Sequence, residues 1–542
     1  MPVAGSGSRG EAADGGPEKV GSVPERKGFF SRNSISVVIT MKTCLTWINI
    51  RYFLCLTFLF GLCSFLLIVV NTKTSYLPPH TKYGMVFDAG SVHTALYVYQ
   101  WPADKDNDTG IVSQNFVCMQ KGGISFYADN PAKAGESLRN CLDKAMPVIP
   151  TKQQKETPIL LGATAGMRLL RMKNQTQADQ ILAEVSKTIK TYPLDFQGAR
   201  ILTGEEEGSL GWITINYLLR TFIEYTFEGG WAHPRSTEIV GAMDMGGAST
   251  EMTFQPSGPI KSKDSSIFFR LYGFNYRVYT HSYLCYGLFD ALERYLGKII
   301  ADQKFGNVTN PCYPKGFERN VSLTALYSKP CVALPTLKPP TKNITLTGTG
   351  DPGKCRVALQ GIFNFSACEN KTECTFDGVY QPPLHGQFYA FSAFYKIFRF
   401  LNLTDGQSLD VVNSTIWEFC STKWTVLTSK FPTADQKWLH GYCEASIYIL
   451  TLLLDGFKFN DQTWKNINFR EQAGNADIGW SLGYMLNLTN KIPSEAPAEV
   501  TGHSYVIWVA TVTMSFLTAL LILCVVLVHC IQTPVSSYET LM

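Results

Sequence analysis

MDMGGASTEM, running from Met243 to Met252, is the stretch on which the reading of this chain turns. An acidic residue leaves an apolar run, two glycines follow, and small hydroxyl residues come next. VFDAGSVHT, from Val86 to Thr94, repeats the pattern upstream. Each stretch sets an aspartate at a strand end before a glycine turn, as Asp88-Ala89-Gly90-Ser91 and as Asp244-Met245-Gly246-Gly247-Ala248-Ser249. Glycine lets backbone N–H groups converge on one point, and that concavity suits phosphate oxygens. Ser91 and Ser249 add hydroxyls, while the two aspartates suit a hard divalent cation held through water. One such loop is most often only a turn. Two in one chain point to a duplicated α/β unit whose halves face each other with phosphates clamped between them.

Between the two loops lies TGEEEGSLGWITINYLL, Thr203 to Leu219. Three consecutive carboxylates ahead of an amphipathic run make a favourable helix N-terminus. Hydrolysis of a phosphoanhydride also needs a carboxylate to orient and deprotonate water, so both readings stand. GATAGMRLL, Gly162 to Leu170, adds a small-residue turn with Thr164 as hydroxyl and Arg168 as cation. GTGDPGKC, Gly348 to Cys355, spells a P-loop pattern but puts Cys355 where Ser or Thr must reach Mg²⁺. A proline-rich stretch precedes it, and Cys355 reads as a disulfide partner.

The totals place this machinery outside a membrane. The chain has 542 residues, 17% of them charged and 45% hydrophobic, with a net charge of +4. No basic block gives an electrostatic footprint for nucleic acid. Two uncharged runs, 52–70 and 505–528, reach the length a membrane helix needs. Basic residues crowd before the first, which keeps both termini in the cytoplasm by the positive-inside rule. All ten N-x-S/T acceptors lie between the spans: Asn107, Asn174, Asn307, Asn320, Asn343, Asn364, Asn370, Asn402, Asn413 and Asn487. So do ten of the fifteen cysteines, which suits up to five disulfides in an oxidising compartment. The first 40 residues lack apolar periodicity and read as a disordered tail. Strand and helix textures alternate from Lys82 to Thr253, an α/β pattern. From Ile260 to Phe388 the cysteines, acceptors and prolines read as loops held by disulfides.

Five stretches in order, DAGSVHT, GATAGMRLL, TGEEEGSLGWITINYLL, MDMGGASTEMTF and DIGWSLGYMLNLTN, resemble the conserved regions of the ecto-nucleoside triphosphate diphosphohydrolases, the ecto-apyrases. The likeness covers Lys82 to Pro493 and is to the cell-surface, two-span branch. Other stretches, such as YTHSYLCYG, look most like the vascular, ADP-consuming enzyme. The resemblance implies two ribonuclease-H-like domains of the actin and sugar-kinase type facing a cleft, beside two transmembrane helices. Domain I would be 71–203 with 471–504 and domain II 204–470, flanked by tails 1–51 and 529–542. It implies removal of terminal phosphate from ATP, ADP, UTP and UDP with Ca²⁺ or Mg²⁺.

Carried over residue by residue, Glu207 matches the general base and Ser249 the hydroxyl that positions water. Thr164 lies beside the terminal phosphate. Asp88 and Asp244 match the acids holding a hydrated metal, and Ser91, His93 and the backbone of Gly246, Gly247 and Ala248 match phosphate contacts. Tyr395 would stack on the base, with Lys437 opposite. The implied disulfides pair Cys118 with Cys141, Cys285 with Cys331, Cys312 with Cys355, Cys368 with Cys374, and Cys420 with Cys443. Two departures bear on chemistry. Val92 stands where the family commonly has serine, leaving only a backbone donor. Glu251 stands where the family has glutamine beside the attacking water, and an ionised carboxylate accepts but cannot donate. The alternative is an ectodomain that binds nucleotide or mediates adhesion with impaired catalysis. Two spans also permit association of copies through the membrane.

Overall fold

The computed structural model describes residues 33–69, 72–227, 229–234, 238–337, 339, 341–474 and 476–532. It divides into two compact units, Pro78–Ala498 and a second made of both chain ends. Most of the N-terminal tail, residues 1–32, and the C-terminal residues 533–542 lie outside the described part.

In the unit of chain ends, one helix runs Asn33–Val69 and another Tyr505–Gln532. The first reaches well back into the stretch read as tail. No proline or glycine occurs between Asn33 and Phe60 to end it sooner. Within these helices, Asn49–Val69 and Tyr505–Cys530 are long and apolar enough to cross a membrane. Phe58, Phe65 and Phe516 turn outward, as side chains do when the surroundings are lipid rather than water. Ser64 and Ser515 hydroxyls meet at 2.7 Å between the two helices. Strands Lys73–Tyr76 and Glu499–Gly502 pair antiparallel beyond them.

The unit Pro78–Ala498 contains two sheets built on one plan. The first has strands β1 (Thr81–Ala89), β2 (His93–Pro102), β3 (Ser113–Lys121), β4 (Pro158–Ala163) and β5 (Asp195–Ile201), in the order β3-β2-β1-β4-β5. The second has β6 (Gly241–Met245), β7 (Ser249–Phe254), β8 (Ser266–Leu271), β9 (Phe274–Leu284), β10 (Phe388–Ser392) and β11 (Ile467–Phe469), ordered β8-β9-β7-β6-β10-β11. In each sheet a central strand, β1 or β6, pairs antiparallel with the strand that follows it and parallel with β4 or β10 on its other side. The outer strands β5 and β11 continue the parallel side. Only β8 is extra. The duplication inferred from two glycine turns is therefore a duplication of strand order.

Helices cover the sheets: α1 (Pro131–Ala145), α2 (Ala165–Lys173), α3 (Gln175–Ile189), α4 (Gly204–Leu218), α5 (Leu288–Asp302) and α6 (Trp480–Thr489). One face of the first sheet buries Met85, Phe87, Ile159 and Leu161 against Leu138, Leu142, Ile181 and Val185 of α1 and α3. Its opposite face shares a core with the second sheet, where Val86, Tyr99 and Trp101 join Trp212 of α4, Val278 of β9 and Met485 of α6. The two halves thus share a core, which is why Pro78–Ala498 is one compact unit. The third core lies wholly in the second half, around Met243, Tyr279, Phe376 and Tyr448.

The region 260–388 is more ordered than its composition suggests. Besides β8, β9 and α5 it holds a three-stranded sheet of Val308–Asn310, Asn343–Gly348 and Glu318–Ser322. Disulfides Cys285–Cys331, Cys312–Cys355 and Cys368–Cys374 fasten it, and Cys118–Cys141 and Cys420–Cys443 tie other elements. Short, mostly polar strands between disulfides carry too little periodicity to be read from sequence. GTGDPGKC does follow a strand and open a helix, Pro352–Gln360, but Asp351 caps that helix and Cys355 is bonded to Cys312.

Candidate active site

Asp88 and Asp244 occupy equivalent places, each the last residue but one of its central strand. The hairpin loops that follow, Gly90–Val92 and Gly246–Ala248, meet each other. A Cβ on Gly247 would fall 2.6 Å from Ser91 Oγ and 3.1 Å from Val92 Cγ1, so a side chain there would have to displace those of the facing loop. The carbonyls of the second loop are taken: Leu288 N–H donates to Gly246 O, Phe289 N–H to Gly247 O and Cys285 N–H to Ala248 O. Among the described residues, the amides of Ser91, Val92, Gly247 and Ala248 donate to no protein group. Unpaired amides on two facing loops form a pair of anion nests. The Val92 side chain offers no polar group, so only its backbone N–H is free to donate. Beside the first loop, Thr164 is the residue before α2, yet its hydroxyl caps no helix N–H.

The three carboxylates of GEEEG have separate fates. Thr203 and Glu206 form a capping box: Glu206 N–H donates to Thr203 Oγ1 at 3.1 Å and Thr203 N–H to Glu206 Oε2 at 3.0 Å. Glu206 also holds Arg200. Glu207 turns inward and is buried. Both flanking glycines let α4 press on the second sheet: a Cβ on Gly204 would lie 2.1 Å from Ser282 Cβ, and one on Gly208 3.0 Å from Glu251 Cβ. The helix-start reading and the water-activating reading are compatible because they belong to neighbouring residues.

Around Glu207 the second half supplies Ser249 and Glu251 from β7. Ser249 Oγ donates to Glu251 Oε1 at 2.5 Å, and Ser282 Oγ of β9 donates to the same oxygen at 2.7 Å. Arg168 of α2 donates from Nη2 to Ser249 Oγ at 2.9 Å. Its Nη1 stands 2.9 Å from Glu207 Oε2, a charge contact whose angle is wrong for a hydrogen bond, so that buried oxygen lacks a donor. Glu207 Oε1 accepts no protein hydrogen bond among the described residues.

The electrostatics follow from crowding acids in a buried space. Burial, then the charge of Glu207, pushes the Asp88 carboxyl up to about 8. Trp480 opposes this and Asp244 adds to it. Burial pushes Asp244 up to about 7; a hydrogen bond from Ser392 and the charge of Lys396 hold it down while Glu207 raises it. Glu207 itself is raised by burial against the pull of Arg168. Glu251 is raised well above the carboxylate range, by burial first and Glu207 second. His93 is lowered by burial and by Lys396. Ser392 holds φ +56° at the end of β10, an uncommon conformation for a residue with a side chain.

Sequence reasoning missed several members of this group. Ser282 and Ser392 carry no motif signal, since a lone serine in a strand is common; only the register of β9 and β10 beside β7 and β6 brings them in. Trp480 was quoted in the fifth stretch without a role; a Cβ on Gly162 would strike its ring at 2.3 Å, which seats the indole beside β4. The residues assigned to the base are not in contact with one another. Tyr395 packs against the second half's core, and Lys437 is exposed with its ammonium 5.5 Å from the ring of Trp438. That ring lies 5.8 Å from Phe289, the residue whose N–H holds Gly247.

A sequence profile of the GDA1/CD39 (nucleoside phosphatase) family matches residues 75–501. The chain belongs to this family. Among GDA1/CD39 relatives, "Ectonucleoside triphosphate diphosphohydrolase 8" of Gallus gallus is 54% identical over 476 residues, 88% of this chain and 96% of its own length. The Homo sapiens protein of the same name is 50% identical over 459 residues, 84% and 92% of the two chains. "Ectonucleoside triphosphate diphosphohydrolase 3" of Homo sapiens is 43% identical over 457 residues, 83% and 86%. The crystal structure of a nucleoside triphosphate hydrolase from Neospora caninum is similar in fold alone, with TM-score 0.54 and 13% identity over 78% of this chain and 93% of that one.

Proposed function

We propose that this GDA1/CD39 protein removes the terminal phosphate from nucleoside tri- and diphosphates, ATP, ADP, UTP and UDP, at the outer surface of a cell. The observation that carries the reading is the buried Glu207, with one oxygen free of protein partners, set beside Ser249 and two facing loops of unpaired amides. Water loses a proton to Glu207 Oε1, its oxygen attacks the terminal phosphorus in line, and the bond to the bridging oxygen breaks as the shortened nucleotide leaves. Ser249 and Thr164 orient water and phosphate, and the amides of Ser91, Val92, Gly247 and Ala248 carry charge on the transferring oxygens. His93 lines the first loop. Trp438, rather than Lys437 alone, offers an exposed ring for a base near the second loop, with Tyr395 as its suggested partner.

The residues fit a divalent cation. Glu207 raises both Asp88 and Asp244, and Asp244 raises Asp88, a strain that a dication relieves; no three such side chains among the described residues converge for direct ligation. Asp88 and Asp244 would therefore hold Ca²⁺ or Mg²⁺ through water, and the ion would supply neutralising charge to the phosphates. Both termini lie in the cytoplasm in this reading, the two spans support association of copies, and the ten acceptor asparagines, all at least partly exposed, carry glycans. In this reading domain I is 71–203 with 471–504 and domain II is 204–470, a division supported by Thr489 Oγ1 of α6 accepting from Gly110 N–H at 2.9 Å.

The full-length protein in membranes should release phosphate from ATP and ADP in the presence of divalent cation, and Glu207→Gln should lower kcat by about 1,000-fold. An active Glu207→Gln variant removes the base assignment. ATP binding without phosphate release by the unaltered protein would favour the impaired-ectodomain reading that Glu251 raises.

A further inference from the structure

The four contacts of Arg168 are to α4, to β7 and to Leu202, which lies between β5 and α4. Its helix, α2, leaves the parallel side of the first sheet, but its guanidinium works between the halves. Nη1 donates to Leu202 O at 3.1 Å, just ahead of α4, and stands 2.9 Å from Glu207 Oε2. Nη2 donates to Ser249 Oγ at 2.9 Å and lies 3.5 Å from Glu251 Oε1. The side chain is 14% exposed, so these contacts are little screened by solvent. Because Arg168 occupies a lone pair of Ser249 while Ser249 donates to Glu251, the serine hydroxyl has one orientation. Two buried carboxylates, Glu207 and Glu251, share a single guanidinium.

We propose that Arg168 is a positioning residue for hydrolysis: its planar fork fixes the Glu207 carboxylate and the Ser249 hydroxyl in one frame. This rests on Glu207 acting as the base. A guanidinium suits the task because its N–H groups diverge in a rigid plane, which an ammonium cannot imitate.

The test is steady-state hydrolysis of ATP and ADP by the full chain in membranes. Arg168→Met should lower kcat about 100-fold while KM moves less than about threefold, since the loss falls on the transition state rather than on binding. Arg168→Lys should regain about tenfold of that loss, because an ammonium restores the charge contact though not the fork. The inference is overturned if kcat survives in Arg168→Met, if the loss appears only in KM, or if Arg168→Lys is no faster than Arg168→Met. Should Arg168→Met fail to fold, an Arg168→Lys variant with unaltered kcat overturns it equally. Glu207→Gln runs alongside: if it is active, the base assignment fails first; if it is inactive and Arg168→Met is not, the positioning role fails alone.

Discussion

Glu251 is where the residue scale is most informative. Its Oε1 accepts from Ser249 and Ser282, while its buried Oε2 has no partner. A glutamine in the same rotamer keeps Oε1 as acceptor for both serines and does not ionise. Glu251→Gln should therefore keep or raise turnover, and raise the thermal midpoint near neutral pH, because burial pushes the carboxyl well above its ordinary range and the amide carries no such penalty. Glu251→Ala removes the acceptor from two buried hydroxyls and should lose both stability and rate. Phosphate release and thermal melts of the two variants measure this; a glutamine variant as impaired as alanine would mean the carboxylate itself is required. The sequence disclosed Glu251 as the odd residue but not why it is tolerated, because its answer, Arg168 and Ser282, lies on other strands and helices.

Elements were legible where a motif coincides with an end. The strand, glycine loop and small hydroxyl of DAGSVHT and MDMGGASTEM announce both hairpins, and TGEEEG announces the start of α4. What stayed hidden is contact between elements, which depends on which helix faces which sheet rather than on local pattern. Gly483 shows the point: on sequence it is one glycine within an apolar helix. In the fold, α6 crosses α4 so closely that a Cβ there would lie 2.0 Å from Leu210 O, and Thr214 Oγ1 accepts from Gly483 N–H at 2.8 Å. A backbone carbonyl cannot give way as a flexible side chain can. Gly483→Ala should thus force α6 from α4 and destabilise by about 1–3 kcal/mol or more, as overpacking does. Since Trp480 and Glu207 ride on these two helices, kcat should fall as well. A variant with unaltered melting and rate would show that the crossing is looser than drawn.

At the scale of the molecule, two sheets of one strand order present two loops to one another, and the paired aspartates follow from that duplication. The second half, however, carries its own buried acid with no part in this chemistry. Glu444 is buried near Arg319 and Asn310, and its Oε1 has no hydrogen-bond donor. Burial pushes it up to about 8 from the ordinary 4.5, more than Arg319 and Asn310 pull it down. In the unfolded chain Glu444 is ionised above about pH 5, so between that point and pH 8 the folded state binds more protons than the unfolded one. Stability must then fall as pH rises through this window, with nothing further gained below it, where both states are protonated. Glu444→Gln fixes the side chain in its neutral form. Thermal midpoints of the full chain in detergent should coincide for the two proteins near pH 5 and separate toward pH 8, the variant higher by a few kcal/mol equivalent. Parallel midpoints across the range would mean that an ion or water compensates the carboxylate; a variant less stable at pH 8 would mean that Arg319 holds it ionised.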